Sequence, residues 1–228
     1  MKKTIIQKIY PLLLGAILMS MAAVAAQAGV VGSKHDLTSA TGASPYKTTG
    51  TNEVCVFCHT PHASSTSAPL WNRTASAASY TMYNSSVSAT MDMTVAASPQ
   101  GVSLLCLSCH DGAVAFDSLL NKPGSGTGAP SGWTWNAAGN TMTATTSPLS
   151  RLGADLSNDH PISVTYDATK DPAFVTPASG AVNGLPLFGA AKNQVECSSC
   201  HNVHDNANAP FLRTANGGSV LCLKCHVK

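Results

Sequence analysis

Apolar residues in this chain fall into short, scattered groups, and most of the length between them is Ser, Thr, Gly, Ala and Asn. One apolar run is long, Leu12 to Val24, preceded by Lys2, Lys3 and Lys8 and followed by Ala26-Gln27-Ala28. A positive start, an apolar centre and a small-residue exit make residues 1–28 a secretion signal cut before Gly29. No cysteine follows the cut, which argues against a lipid anchor, and no later run is long enough to span a bilayer. Elsewhere the pattern predicts sparse regular structure. Ser98-Pro99 reads as a helix start, with Ser as cap and Pro in the first turn, carrying Leu104, Leu105 and Leu107 towards His110. A second short helix is predicted over Gly218–His226, with Val220, Leu221 and Leu223 on its apolar side. Ile162-Ser-Val-Thr-Tyr166 alternates as a short strand does. Residues 121–150, with Trp133 and Trp135 among Gly, Ser, Thr and Pro, read as an irregular excursion in which the Trp pair serves packing. The expected fold is mostly irregular coil with a few short α-helices and minimal β.

Such a chain buries little side-chain area of its own, and its cysteines indicate what fills the gap. All eight belong to four copies of Cys-x-x-Cys-His: Cys55-Cys58-His59, Cys106-Cys109-His110, Cys197-Cys200-His201 and Cys222-Cys225-His226. This is the attachment signature of c-type haem: two thiols add across the porphyrin vinyl groups and the following histidine becomes the proximal iron ligand. A tetrahedral zinc site or a disulfide framework uses paired cysteines too, but neither explains a histidine after each pair. The expected cofactors are four covalently attached haem c groups supplying much of the apolar core, so that the chain without them does not fold.

Four histidines remain, His35, His62, His160 and His204, one for each iron. A filled sixth position leaves electron transfer, whereas an open one binds or activates small molecules. The matching count therefore argues for an electron carrier and against an enzyme. The mature chain also holds Met82, Met91, Met93 and Met142, which share no local pattern and read as packing or surface residues.

The two halves, about 29–120 and 151–228, follow one plan. The first runs His35, Cys55-Val-Phe-Cys-His-Thr-Pro-His62, Ala68-Pro69-Leu70-Trp71-Asn72-Arg73, Leu105 to His110. The second runs His160, Cys197-Ser-Ser-Cys-His-Asn-Val-His204, Ala209-Pro210-Phe211-Leu212-Arg213, Leu221 to His226. From this repeat His35 would cap the iron of His59, His62 that of His110, His160 that of His201 and His204 that of His226. A crossed arrangement, or donation to a neighbouring subunit, fits the spacing equally well. Arg73 and Arg213 take equivalent places in the repeat and are candidates for haem propionates.

The net charge of +2 excludes little by itself. Thirteen Lys and Arg less the three in the leader leave ten, against eleven acids, and no basic patch marks a nucleic-acid surface.

The entry Lys34-His35-Asp36-Leu37, the two His-x-x-His motifs, Ala68-Pro69-Leu70-Trp71 and Asp159-His160-Pro161-Ile162 resemble the filament-forming extracellular multihaem cytochromes of metal-reducing bacteria, over essentially all of residues 29–228. The resemblance implies a chain wrapped around four haems in alternating stacked and T-shaped pairs, with bis-histidine irons throughout. It implies a helical homopolymer in which one axial histidine crosses to the adjacent subunit, His62 rather than His35. It further implies secretion to the cell surface of a Gram-negative bacterium. Electrons would come from periplasmic or outer-membrane donors and leave to metal oxides or electrodes. A monomeric periplasmic shuttle is the alternative.

Overall fold

The computed structural model describes residues 29–65, 68–123 and 133–227. The expected leader and the middle of the excursion lie outside the described residues. Irregular backbone dominates, as the scattered apolar pattern predicts. Among the described residues no helix is long and apolar enough to cross a membrane.

The one helix of length, α1, spans Gly101–His110. It starts later than Ser98-Pro99 suggests. The reason is tertiary: the Gln100 amide donates to Ser163 Oγ at 2.9 Å, Pro99 is fully buried, and Gln100 stays extended with no side-chain cap. Ser98 is left exposed and caps nothing. α1 turns Ser103, Leu107 and Ser108 inward, while Leu104 and Leu105 remain half-buried. A single turn, α2 (Cys197–Cys200), packs against it. The helix expected over Gly218–His226 is instead two 3-10 turns, Gly217–Ser219 and Cys222–Lys224. Gly218 and Ser219 both adopt φ of 63°, in the left-handed region that an α-helix cannot continue through. Leu221 is buried, but Val220 and Leu223 are exposed. A third 3-10 turn, Val54–Phe57, opens the first cysteine motif.

Sheet is limited to two-residue ladders. β1 (Thr81–Met82) pairs parallel with β2 (Asp155–Leu156). β3 (Val164–Thr165), inside the predicted alternating segment, pairs antiparallel with β6 (Gln194–Val195). β4 (Ala181–Val182) and β5 (Leu185–Pro186) form a hairpin. Its loop, Asn183-Gly184, has φ of 46° and 86°, the two left-handed positions that favour Asn-Gly in a type I′ turn.

The apolar core is divided into three small groups. Leu37, Tyr46, Phe57 and Phe116 form one, with Trp133 and Trp135 packed on it. Met82, Leu107 and Leu156 form the second. Tyr166, Val182 and Leu187 form the third, with Phe174 against it. The Trp pair thus does pack, on Phe57 and on each other at centroid distances of 5.7 and 6.4 Å. Met82 and Met93 are buried and Met142 packs on the first group.

Candidate haem-binding sites

The cysteine motifs lie beside one another in chain order. Cys58 and Cys109, of the first and second motifs, pack on the same core group and sense each other's charge. Cys106 of the second lies close enough to Cys197 of the third for each to shift the other's titration. Cys200 of the third acts on Cys222 and Cys225 of the fourth. All eight cysteines are free thiols. Burial pushes Cys58 up to about 12 and Cys225 up to about 11. Among the described residues no group of three or more His, Cys, Asp or Glu gathers to hold a metal ion by itself.

Backbone frames the first and third motifs in the same way. His59 bridges to Trp71, and His201 to Leu212. Thr60 N–H donates to Leu70 O at 2.9 Å and Asn202 N–H to Phe211 O at 2.8 Å. Leu70 and Phe211 both sit at φ of 61°. Asn72 N–H reaches Cys58 O and Arg213 N–H reaches Cys200 O, each at 2.9 Å. Arg213 is therefore the counterpart of Asn72, and the proposed equivalence with Arg73 is one residue out of register.

Nor is Arg73 placed for a propionate. It is 1% exposed. Its Nε donates to Ser108 Oγ, its Nη2 to the carbonyls of Ser108 and Ala115, and its Nη1 to that of Phe116, at 2.8 to 3.1 Å. It braces the end of α1 where Cys109 and His110 are held. Arg213 is exposed and spends its Nε on Ser198 O at 2.8 Å.

Backbone carbonyls hold three of the histidine rings by one nitrogen. His110 Nδ1 donates to Ser150 O at 2.7 Å, and His201 Nδ1 to Pro210 O at 3.0 Å. A ring nitrogen occupied in this way fixes the tautomer and leaves Nε2 as the ligand. His160 Nδ1 makes the same kind of bond to Pro161 O at 3.0 Å. Burial holds His110 and His59 below the usual histidine range and takes His35 down to about 4. Neutral imidazole is the form a metal requires.

Six of the eight rings lie close to one another in pairs. His35 lies 6.0 Å from His110, His59 6.0 Å from His204, and His160 6.5 Å from His226. With metal–nitrogen bonds of about 2 Å, two imidazoles on opposite faces of one metal have ring centres about 6 Å apart. Each pair combines one proximal histidine with one spare histidine. The partners differ from those read off the repeat: His35 meets His110 rather than His59, His204 meets His59 rather than His226, and His160 meets His226 rather than His201. The physical cause is local. The chain leaves α2 extended, with His201 at φ −108° and ψ 145°. A turn follows, closed by Asp205 N–H donating to Asn202 O at 2.9 Å, and it places His204 beside His59 of the first motif. His62 is exposed, and among the described residues the paired imidazole rings include neither His62 nor His201.

Two residues that sequence reading passed over position these rings. Asp36, 0% exposed, accepts from Gly32 N, Thr38 N, Thr38 Oγ1 and Thr41 Oγ1 and so ties down the loop that carries His35. Gly29 is flush against the backbone of His204: a Cβ there would stand 1.9 Å from His204 O.

These features fit haem c. The donor set is two thiols and a histidine at each motif, His35 Nδ1 is buried without a partner, and Leu70, Val220, Leu223 and Val227 leave apolar surface exposed around the motifs. No curated protein matches the chain. The family model described as a doubled CXXCH motif matches residues 189–228, which hold the third and fourth motifs. That similarity points to covalent haem c attachment at these two motifs and is consistent with a multihaem c-type cytochrome.

Proposed function

We propose that the chain is an exported tetrahaem cytochrome that passes electrons along a homopolymer to acceptors outside the cell. Haem bound at each motif supplies a one-electron iron couple. The polypeptide's part is to fix and close it. The thiols of Cys55, Cys58, Cys106, Cys109, Cys197, Cys200, Cys222 and Cys225 anchor it, and His59, His110, His201 and His226 hold one face. His204, His35 and His160, which lie near His59, His110 and His226, would supply the second imidazole there. An iron held by two imidazoles would offer substrates no vacant position. The side-by-side order of the cysteine motifs supports a continuous path from first to fourth.

The observation that carries assembly is the unmatched pair. His59 takes the second histidine of the third motif, and the reciprocal pair, His201 with the second histidine of the first motif, is not made within one chain. We assign His62 to His201 of the next copy. A contact between two different surfaces is heterologous and propagates, which supports a filament.

The test is His62→Ala in the native, haem-loaded protein. Expected are four haems by mass, one of them turned high-spin, and loss of filaments by electron microscopy. Filaments that persist remove His62 from the interface. A wild-type protein that runs as discrete particles with all irons low-spin supports the monomeric periplasmic shuttle instead.

A further inference from the structure

Glu196 is a buried carboxylate that neither haem anchoring nor ring pairing uses, and unlike buried Asp111, whose two oxygens accept from Tyr80 Oη and Ala113 N–H, it has an oxygen left over. It is 2% exposed and sits where α2 packs on α1, directly before Cys197. Its Oε2 accepts from Ser103 Oγ of α1 and from Ser163 Oγ, the latter at 3.0 Å. Its backbone N–H donates to Ser199 Oγ at 3.1 Å. Its Oε1 is buried with no partner.

Among the described residues no cation pairs with it. The segments packed around it and its turn are α1, β5, residues 162–166 and β6. Apart from His110 at the far end of α1, they carry no ionisable side chain other than Cys106, Cys109, Tyr166, Cys197 and Cys200. The cysteines are haem anchors. Tyr166 turns its hydroxyl away, to Val175 O at 2.8 Å. A carboxylate with one oxygen unsatisfied in such a place is costly, and a neutral carboxyl is less so. Burial accordingly raises Glu196 above the usual carboxylate range, although the hydroxyls of Ser103 and Ser163 work against it.

We propose that Glu196 is a redox-linked proton site serving the centres anchored at the second and third motifs. One electron added there by the upstream donor is accompanied by one proton from water onto the Glu196 carboxylate, and both leave together on oxidation. The geometry explains the coupling: Glu196 adjoins Cys197, which itself contacts Cys106, so an added negative charge at either centre falls beside an uncompensated carboxylate. The inference rests on haem being bound at these motifs.

The experiment is a spectroelectrochemical titration of the holoprotein from about pH 5 to pH 9, for wild type, Glu196→Gln and Ser163→Ala. A tenfold change in proton concentration corresponds to about 59 mV for a one-electron couple, so in wild type one component falls with rising pH by up to that slope. Glu196→Gln flattens that component with haem content unchanged. It also abolishes a carboxyl C=O infrared band that appears on reduction. Ser163→Ala removes a donor to the carboxylate and moves the sloping window to higher pH. Haem present, with the slope and band unaltered in Glu196→Gln, overturns the inference alone. If Glu196→Gln does not fold, an unmoved window in Ser163→Ala overturns it. Peptides of Cys106–Cys109 and Cys197–Cys200 lacking haem mass overturn both the inference and the reading beneath it.

Discussion

His204 faces His59 across a 6.0 Å ring separation with planes 22° apart, although it belongs to the third cysteine motif and His59 to the first. The contact ties the carboxyl-terminal half to the amino-terminal one at the place where a metal would sit. His204→Ala is expected to leave His59 with an open trans position. One iron in four should turn high-spin in electron paramagnetic resonance and bind carbon monoxide when reduced, with four haems retained by mass.

Gly29 controls the same contact from behind. Gly29→Ala puts a methyl group into the His204 carbonyl, and overpacking of this kind costs about 1–3 kcal/mol. The expected result is a lower unfolding midpoint together with a partial high-spin signal of the His204→Ala type.

The two arginines should separate cleanly. Arg73→Met leaves the acceptors at Ser108, Ala115 and Phe116 without donors in the interior and should cost about 3–5 kcal/mol. Arg213→Ala, at an exposed position, should change stability by about 0.5 kcal/mol or less. Urea unfolding of the two oxidised holoproteins measures both.

Glu196 gives stability a pH dependence of known sign. Its folded value is raised from 4.5, first by burial, so the folded state holds the proton more tightly than the unfolded chain does. Stability is then highest below the unfolded value, falls as pH rises from 4.5 towards the raised folded value, and stays lower above it. In Glu196→Gln this component of the slope should vanish from the urea midpoints.

Without haem the chain should lack a cooperative transition. Its three apolar groups are small and separate, and such burial does not offset the entropy of ordering about two hundred residues. Thermal melting of chain produced without haem, followed by circular dichroism, should be broad and featureless.

Local features were legible where one segment determines them. The leucine-rich run into Cys106 is helical, and Ile162–Tyr166 does contain a strand. The helix start was misread because Gln100 is tied to Ser163, a residue 63 positions away. The hairpin was legible in Asn183-Gly184 but went unread. The ligand pairs were not legible, because a repeat shows which residues correspond and not which half they reach into. Arg73 was misassigned because aligning Arg with Arg across a one-residue gap ignores the hydrogen bonds that equate Arg213 with Asn72. Glu196 and Asp36 carried no motif; only burial distinguishes them from surface acids.

The His59–His204 contact also bears on how the protein is made. If the chain is exported as proposed, threading outward from its amino end exposes His35 before His110, and His160 before His226. Those two sites can therefore be finished as soon as their thiols emerge. His59 must wait for a residue that leaves the channel near the end of translocation. Maturation would then run out of step with synthesis: the first cofactor to be attached would be sealed only after the second, and a product truncated between His110 and His204 would betray itself by one unsealed iron.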